Sequence, residues 1–193
     1  EAGTADGMLE IRFRNASAAG KEIKTKVPLT GVPRSAAQSA VERLARDAGG
    51  LEGKRALVIG NGGAARAARW ALADRGVITA ARRGGDVTMD QLPQAARQCR
   101  VVVNATPLGM EGFPPFADLS FLDSLPAGAA VFDLIYAPRK TELYQAARAR
   151  GLIAITGMEL LVQQAILAFN HFTGAGLEQA ATRRELMALV NET

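Results

Sequence analysis

The fold is decided by Arg55-Ala56-Leu57-Val58-Ile59-Gly60-Asn61-Gly62-Gly63-Ala64-Ala65-Arg66. Arg55 to Ile59 reads as a strand, and its apolar residues do not alternate with polar ones, so it is buried on both faces. Glycines at 60, 62 and 63 follow at once, and an alanine-rich stretch from Ala64 to Asp74 then reads as a helix. Such a turn lets backbone N–H groups approach a pyrophosphate with no Cβ in the way. Small Ala65 lets the helix lie close on the strand, and the helix N-terminus favours negative charge. A purely structural turn could be spelled the same way. The position between strand and helix is what the phosphate-binding mechanism requires.

Outward from this turn the pattern repeats. Val77-Ile78-Thr79-Ala80, Val101-Val102-Val103, Ala129 to Leu134 and Leu152 to Ile155 read as four more strands. A short helix within Val87 to Gln98, which Thr88 or Asp90 can cap, and another over Thr141 to Arg150 lie between them. A long apolar helix from Gly157 to Phe172 ends at Thr173-Gly174-Ala175-Gly176, and a polar helix from Leu177 to about Val190 closes the chain. Buried strands separated by helices make a parallel sheet covered on both sides. The expected fold class is α/β: a Rossmann-type doubly wound parallel sheet with a small N-terminal remnant.

Upstream the reading changes. Leu9 to Arg14 and Glu22 to Val27 alternate as edge or hairpin strands do, Gly31-Val32-Pro33 breaks the chain, and Ser35 can cap a helix to about Asp47. Residues 1–33 are expected to be the remnant of a substrate or catalytic domain, and residues 34–193 the nucleotide-binding domain with its C-terminal helices. A chain that opens on Glu1 reads as a fragment, a processed product or a trimmed piece.

The 193 residues suffice for one well-buried domain and an appendage. Apolar residues at 48% and charged residues at 22% are ordinary for a soluble globular protein. The net charge of +4 reads mainly as arginine-rich solvated helix faces, with a share free to attract an anionic ligand. No basic stripe interleaved with aromatics argues for nucleic acid, and no apolar run reaches the ~18 residues of a membrane span. One cysteine, Cys99, excludes an internal disulfide and points to a reducing compartment, here the cytoplasm. With one histidine beside it, a structural zinc site is excluded and no metal is expected.

The end of the second strand selects the dinucleotide. NAD sites place an acid there for the ribose 2′-hydroxyl. This chain has Ala81-Arg82-Arg83 and no carboxylate until Asp86. Arginine can pair bidentately with a 2′-phosphate, so NADP is expected over NAD; the alternative is that both arginines are solvated surface.

At this point the residues resemble the shikimate/quinate dehydrogenase family. Gly60 to Arg66 is similar to its GAGGAxR turn, Asn104-Ala105-Thr106-Pro107-Leu108-Gly109-Met110 to its NATPLGM segment, and Asp133 to Pro138 with Thr141 to its D-x-x-Y-x-P-x-x-T motif. Gly157 through Gln164-Ala165 resembles its G-x-x-M-L-V-x-Q-A helix start, with Leu160 in place of Met. The resemblance implies that Gly60, Gly62, Gly63 and Ala64 cradle the pyrophosphate and that Arg82 contacts the 2′-phosphate, with Asn61 and Arg83 also among the cofactor-binding residues. It implies that Asn104, Ala105 and Thr106 line the adenosine side and that Leu134 and Gly157 approach the nicotinamide. Tyr136 and Gln164 would face the carboxylate and hydroxyls of shikimate; alternatively Tyr136 closes a loop and Gln164 satisfies backbone.

The chain departs from that family in several further places. Asn61 and Ala81 replace the alanine of the turn and the asparagine of an N-R-T segment. The catalytic lysine of a V-P-x-K segment is Thr30 in Lys26-Val27-Pro28-Leu29-Thr30, and Thr4-Ala5-Asp6-Gly7 only faintly matches the N-T-D-G segment and lies before the first segment rather than after it. A carbonyl–hydroxyl interconversion needs such a proton relay within hydrogen-bond reach. Lys24, Lys26 and Asp6 are weak substitutes, so the catalytic residues stay unassigned. Between Arg83 and Asp90 the chain is short, and the sheet is expected to lack one helix–strand unit. Phe13 to Ala45 is loosely similar to the linker of glutamyl-tRNA reductase. The expected function is NADPH-dependent hydride transfer between 3-dehydroshikimate and shikimate, or a related cyclic hydroxy acid. The alternatives are a glutamyl-tRNA reductase-like protein or a catalytically silent NADP-binding module.

Overall fold

Four-residue strands can carry a sheet when its central strands are buried throughout, and that is the case here. In the computed structural model, which describes residues 54–73 and 76–192, β1 (Ala56–Ile59), β3 (Val101–Asn104) and β4 (Ala130–Asp133) are buried throughout. Together with β2 (Val77–Ala80) and β5 (Ile153–Ile155) they form a sheet of order β2-β1-β3-β4-β5. All four pairings are parallel. The expected strands at 9–14 and 22–27, the helix at 35–47, the division at residue 33, and Asp6, Lys24, Lys26 and Thr30 lie outside the described residues.

Alternate side chains leave the sheet on opposite faces and build two cores. Leu57, Ile59, Val102 and Val131 meet Leu92 and Ala96 of α2 (Leu92–Ala96), Phe121 and Leu122, and Leu143 and Ala147 of α3 (Glu142–Ala149). Ala56, Val58, Val101, Val103 and Phe132 meet Ala65, Ala68 and Leu72, the first two on α1 (Gly63–Ala71) and the third at its C-terminal end. Burying each Leu or Phe contributes about 1.5–3 kcal/mol. Helices on both faces are what the apolar, non-alternating strands predict.

The register fixes where the strands stop. Ile59 pairs with Ala80 and with Asn104, and Asn104 pairs with Asp133. The C-terminal ends of β2, β1, β3 and β4 are therefore level, and the loops that follow them share one edge. The common dinucleotide-binding sheet has a further strand outside its second one. Among the described residues β2 is outermost, and residues 81–87 lie along its edge instead. Asp86 N and Val87 N donate to Thr79 O at 2.8 and 3.1 Å, Ala81 N donates to Val87 O at 3.1 Å, and Thr79 N donates to the Asp86 carboxylate at 2.8 Å. The edge is thereby closed to further pairing.

Some boundaries differ from expectation. α1 begins at Gly63 and ends at Ala71, with Leu72 as its C-cap. The helix expected within 87–98 is a 3-10 turn, Met89–Gln91, followed by α2. Thr88 caps the turn, its N–H donating to Gln91 Oε1 at 2.9 Å, and Pro93 enters the first turn of α2, where its missing N–H costs nothing. α4 (Gly157–Thr173) ends on Gly174 at φ +67°. α5 (Gln179–Glu192) is tied to it by a two-pronged pair, Arg183 Nε and Nη2 donating to Glu159 at 2.7 Å each. Among the described residues no helix is long and apolar enough to cross a membrane.

Candidate cofactor site

The glycine turn crosses the ends of three strands. Gly60 N donates to Ala80 O at 2.7 Å, and Ala105 N donates to Ile59 O at 2.8 Å. Gly60 has φ +115°, and a Cβ there would lie 2.8 Å from Ala105 O and 3.2 Å from Thr106 Cγ2. Only glycine takes that conformation and that contact without strain. Gly62 and Gly63 are different, since a Cβ on either would meet nothing within 4 Å. They and Ala64 are exposed. Gly62 is the N-cap of α1, and among the described residues no side chain caps that helix start, so its first N–H groups can face a bound anion. The turn fits the pyrophosphate of a dinucleotide.

Beside it, Arg82 and Arg83 are exposed at the tip of the loop that closes the β2 edge. Asp86, the first carboxylate after the strand, is turned back to accept the Thr79 N–H. Asn61 reaches across from the glycine turn, its Nδ2 donating to the Gly84 carbonyl at 2.8 Å.

At the other side of the turn the expected contact residues divide. Ala105 and Thr106 are half-buried, but Asn104 is 0% exposed and its amide is fully engaged. Asn104 Nδ2 donates to Asp133 Oδ1 at 3.0 Å; Asn104 Oδ1 accepts from Thr106 N at 3.0 Å and from its hydroxyl at 2.7 Å. Asp133 also accepts from the Thr141 hydroxyl at 2.5 Å and from Ile135 N at 3.2 Å. Thr141 in turn caps α3 by accepting from Tyr144 N. Asn104 thus supports the surface from below and is not part of it. Burial pushes the Asp133 carboxyl above its ordinary range, while the bonds from Thr141, Ile135 and Asn104 pull it back.

Leu134 and Gly157 are brought together. Gly157 N donates to Ile135 O at 3.2 Å, and a Cβ on Gly157 would lie 2.5 Å from Leu134 O and from the Ile135 carbonyl. Tyr136, on the same connection, is 54% exposed. Gln164 is half-buried, two turns or about 10 Å further along α4. One continuous edge therefore runs from Gly84 through Asn61, Gly60 and Thr106 to Leu134 and Gly157. It straddles the boundary between β1 and β3, where chain connections leave in opposite directions and ligands of such sheets sit. Asp133, Thr141 and Asp86 hold this edge in place from behind, and their residue types alone do not give them that role.

No protein-family model matches the chain. Among known proteins, it is 44% identical over 140 residues to the shikimate dehydrogenase (NADP(+)) of Methylobacterium radiotolerans, which is 63% of this chain and 49% of that relative. To the enzyme of the same name from Sphingopyxis alaskensis it is 42% identical over 141 residues, 65% of this chain and 50% of the relative. Over these residues the chain is homologous to the shikimate dehydrogenases. It spans about half the length of the curated relatives it matches. The same fold occurs in a chorismate mutase/shikimate 5-dehydrogenase fusion protein from Clostridium acetobutylicum, with TM-score 0.69, 22% identity, and coverage of 81% of this chain and 62% of the other. It occurs also in quinate dehydrogenase from Corynebacterium glutamicum in complex with NAD, with TM-score 0.65, 24% identity, and coverage of 80% and 62%.

Proposed function

We propose that this chain is the cofactor-binding part of a shikimate dehydrogenase-like oxidoreductase that uses NADPH to interconvert 3-dehydroshikimate and shikimate, or a related cyclic hydroxy acid. One observation carries the reading: an open glycine turn stands beside a two-arginine loop whose following acid, Asp86, is spent on strand backbone. A free carboxylate there would repel a 2′-phosphate, and two exposed guanidiniums attract one. Gly62, Gly63 and Ala64 hold the pyrophosphate, Arg82 and Arg83 the 2′-phosphate, and Ala105 with Thr106 the adenosine side. Leu134 and Gly157 border the nicotinamide, and Tyr136 and Gln164 face the substrate's carboxylate and hydroxyls. The bound nucleotide supplies the hydride; this chain's residues orient it. No residue of the chain is assigned the proton relay. Residues 34–193 belong to the nucleotide domain and residues 1–33 to a substrate or catalytic domain, and the lone cysteine fits the cytoplasm.

The test is an NADPH fluorescence titration of the chain, paired with a shikimate-dependent absorbance assay. Saturable NADPH binding is expected, weakened far more than NADH binding when Arg82 and Arg83 are replaced by Ala. Turnover supports the full dehydrogenase reading. Binding without turnover favours the silent module, and no binding overturns both.

A further inference from the structure

Two departures from the resembled family lie on facing sides of one gap. An amide side chain is lost at the strand end, where Ala81 stands, and one is gained in the glycine turn, at Asn61. The structure joins these changes, because Asn61 Nδ2 donates to the carbonyl of Gly84, three residues beyond Ala81, at 2.8 Å. The base of the arginine loop is already fixed to the β2 edge by the bonds of Ala81, Asp86 and Val87. Its tip, Arg82 to Gly85, carries two glycines, one of them at φ +68°, and so needs a separate anchor. Asn61 provides it, and it does so from the turn that faces the pyrophosphate. The two phosphate groups belong to one ligand at a fixed covalent spacing, so a bond that fixes the turn relative to the loop fixes that spacing in advance.

We propose that Asn61 is a positioning residue for cofactor selection, holding the Arg82–Arg83 loop at the distance from the glycine turn that a 2′-phosphate requires. The proposal rests on the assignment of those arginines to the 2′-phosphate. It gives Asn61 a different job from the bare residues beside it, which admit the pyrophosphate by having no side chain.

The experiment compares the unmodified chain, Asn61→Ala, the double variant Arg82→Ala with Arg83→Ala, and the triple variant. Dissociation constants for NADPH and NADH are measured by fluorescence, and each variant's melting temperature is recorded. Asn61 is exposed, so its replacement is expected to lower the melting temperature by a few degrees at most, the stability worth of one hydrogen bond. Asn61→Ala is expected to lower the preference for NADPH over NADH about three- to tenfold, the worth of one neutral hydrogen bond. In the triple variant it should add nothing to the effect of the arginine pair. An equal loss for both nucleotides, or an undiminished Asn61 effect without the arginines, overturns the proposal. If the arginine pair itself leaves the preference intact, the 2′-phosphate assignment fails and takes the proposal with it. If the arginines matter and Asn61→Ala leaves the ratio unchanged, only the anchor fails.

Discussion

Asp133 is 1% exposed and still takes hydrogen bonds from Asn104, Thr141 and Ile135. Its carboxyl is raised above the ordinary 3.8, by burial first. An acid raised in this way holds its proton more tightly in the folded than in the unfolded chain. Its contribution to stability is therefore fully present below pH 3.8 and lost as pH rises through the folded value. Asp133→Asn keeps an acceptor for Asn104 but leaves the Thr141 hydroxyl facing an NH2 group, a loss of about 1–3 kcal/mol. In urea unfolding, the gap between Asp133→Asn and the unmodified chain should be widest at acid pH and narrow as pH rises. A gap that does not change with pH would show that Asp133 does not titrate in this window. Cys99 makes a simpler case, since burial pushes its thiol up to about 11 against a smaller pull from Arg55. At pH 8 only about one thiol in a thousand is ionised, so a disulfide-based thiol reagent should react slowly until urea is added. Rapid reaction of one equivalent in the folded protein would contradict that burial. At this scale the sequence is only partly legible. Asn104 and Asp133 are visible as polar ends of apolar strands, but such a residue can face a ligand or a neighbouring strand. Only the pairing of Asn104 with Asp133 decides between the two, and register is not written in either segment alone.

Elements were easier to read, because apolar runs and turn residues act locally. The fourth strand, expected from Ala129 to Leu134, is Ala130–Asp133, and the arginine-flanked glycine turn lies between strand and helix as its spelling requires. What stayed hidden was the loop at 81–87. It has no periodicity, and its structure comes from main-chain bonds to Thr79 that leave no hydrophobic signature. The two helix-starting glycines show how position overrides residue type. At Gly157 a Cβ would press on main chain 2.5 Å away on two residues, whereas at Gly63 it would meet nothing within 4 Å. Gly157→Ala should destabilise the domain by about 3 kcal/mol, because backbone cannot swing aside as a flexible side chain can. Gly63→Ala should stabilise it by about 0.4–1 kcal/mol while weakening NADPH. Thermal unfolding of both variants checks this, and equal effects at the two sites would mean that α4 does not approach the Leu134–Ile135 connection as closely as described.

On the scale of the whole molecule, level strand ends turn separate loops into one binding edge. A dinucleotide laid along it contacts segments following β2, β1, β3 and β4, so ligand binding and stability are linked. A ligand that binds only the folded chain adds about 2.7 kcal/mol at a concentration 100 times its dissociation constant. For a domain of this size that corresponds to a rise in melting temperature of roughly 5–10 °C. NADPH should give such a rise, and NADH at the same concentration a smaller one, since the two share every contact except the 2′-phosphate. The difference between them depends on exposed guanidiniums, and exposed charges are screened within about 10 Å at 0.1 M salt and about 3 Å at 1 M. Raising the salt should therefore shrink the NADPH–NADH difference while largely sparing the shift that NADH itself produces, which relies more on N–H groups of the turn. Replacing Arg82 and Arg83 with Ala should have the same effect at low salt. If both nucleotides lost their shifts in parallel as salt rose, long-range attraction by the net positive charge would account for binding, and the loop beyond β2 would have no selective role.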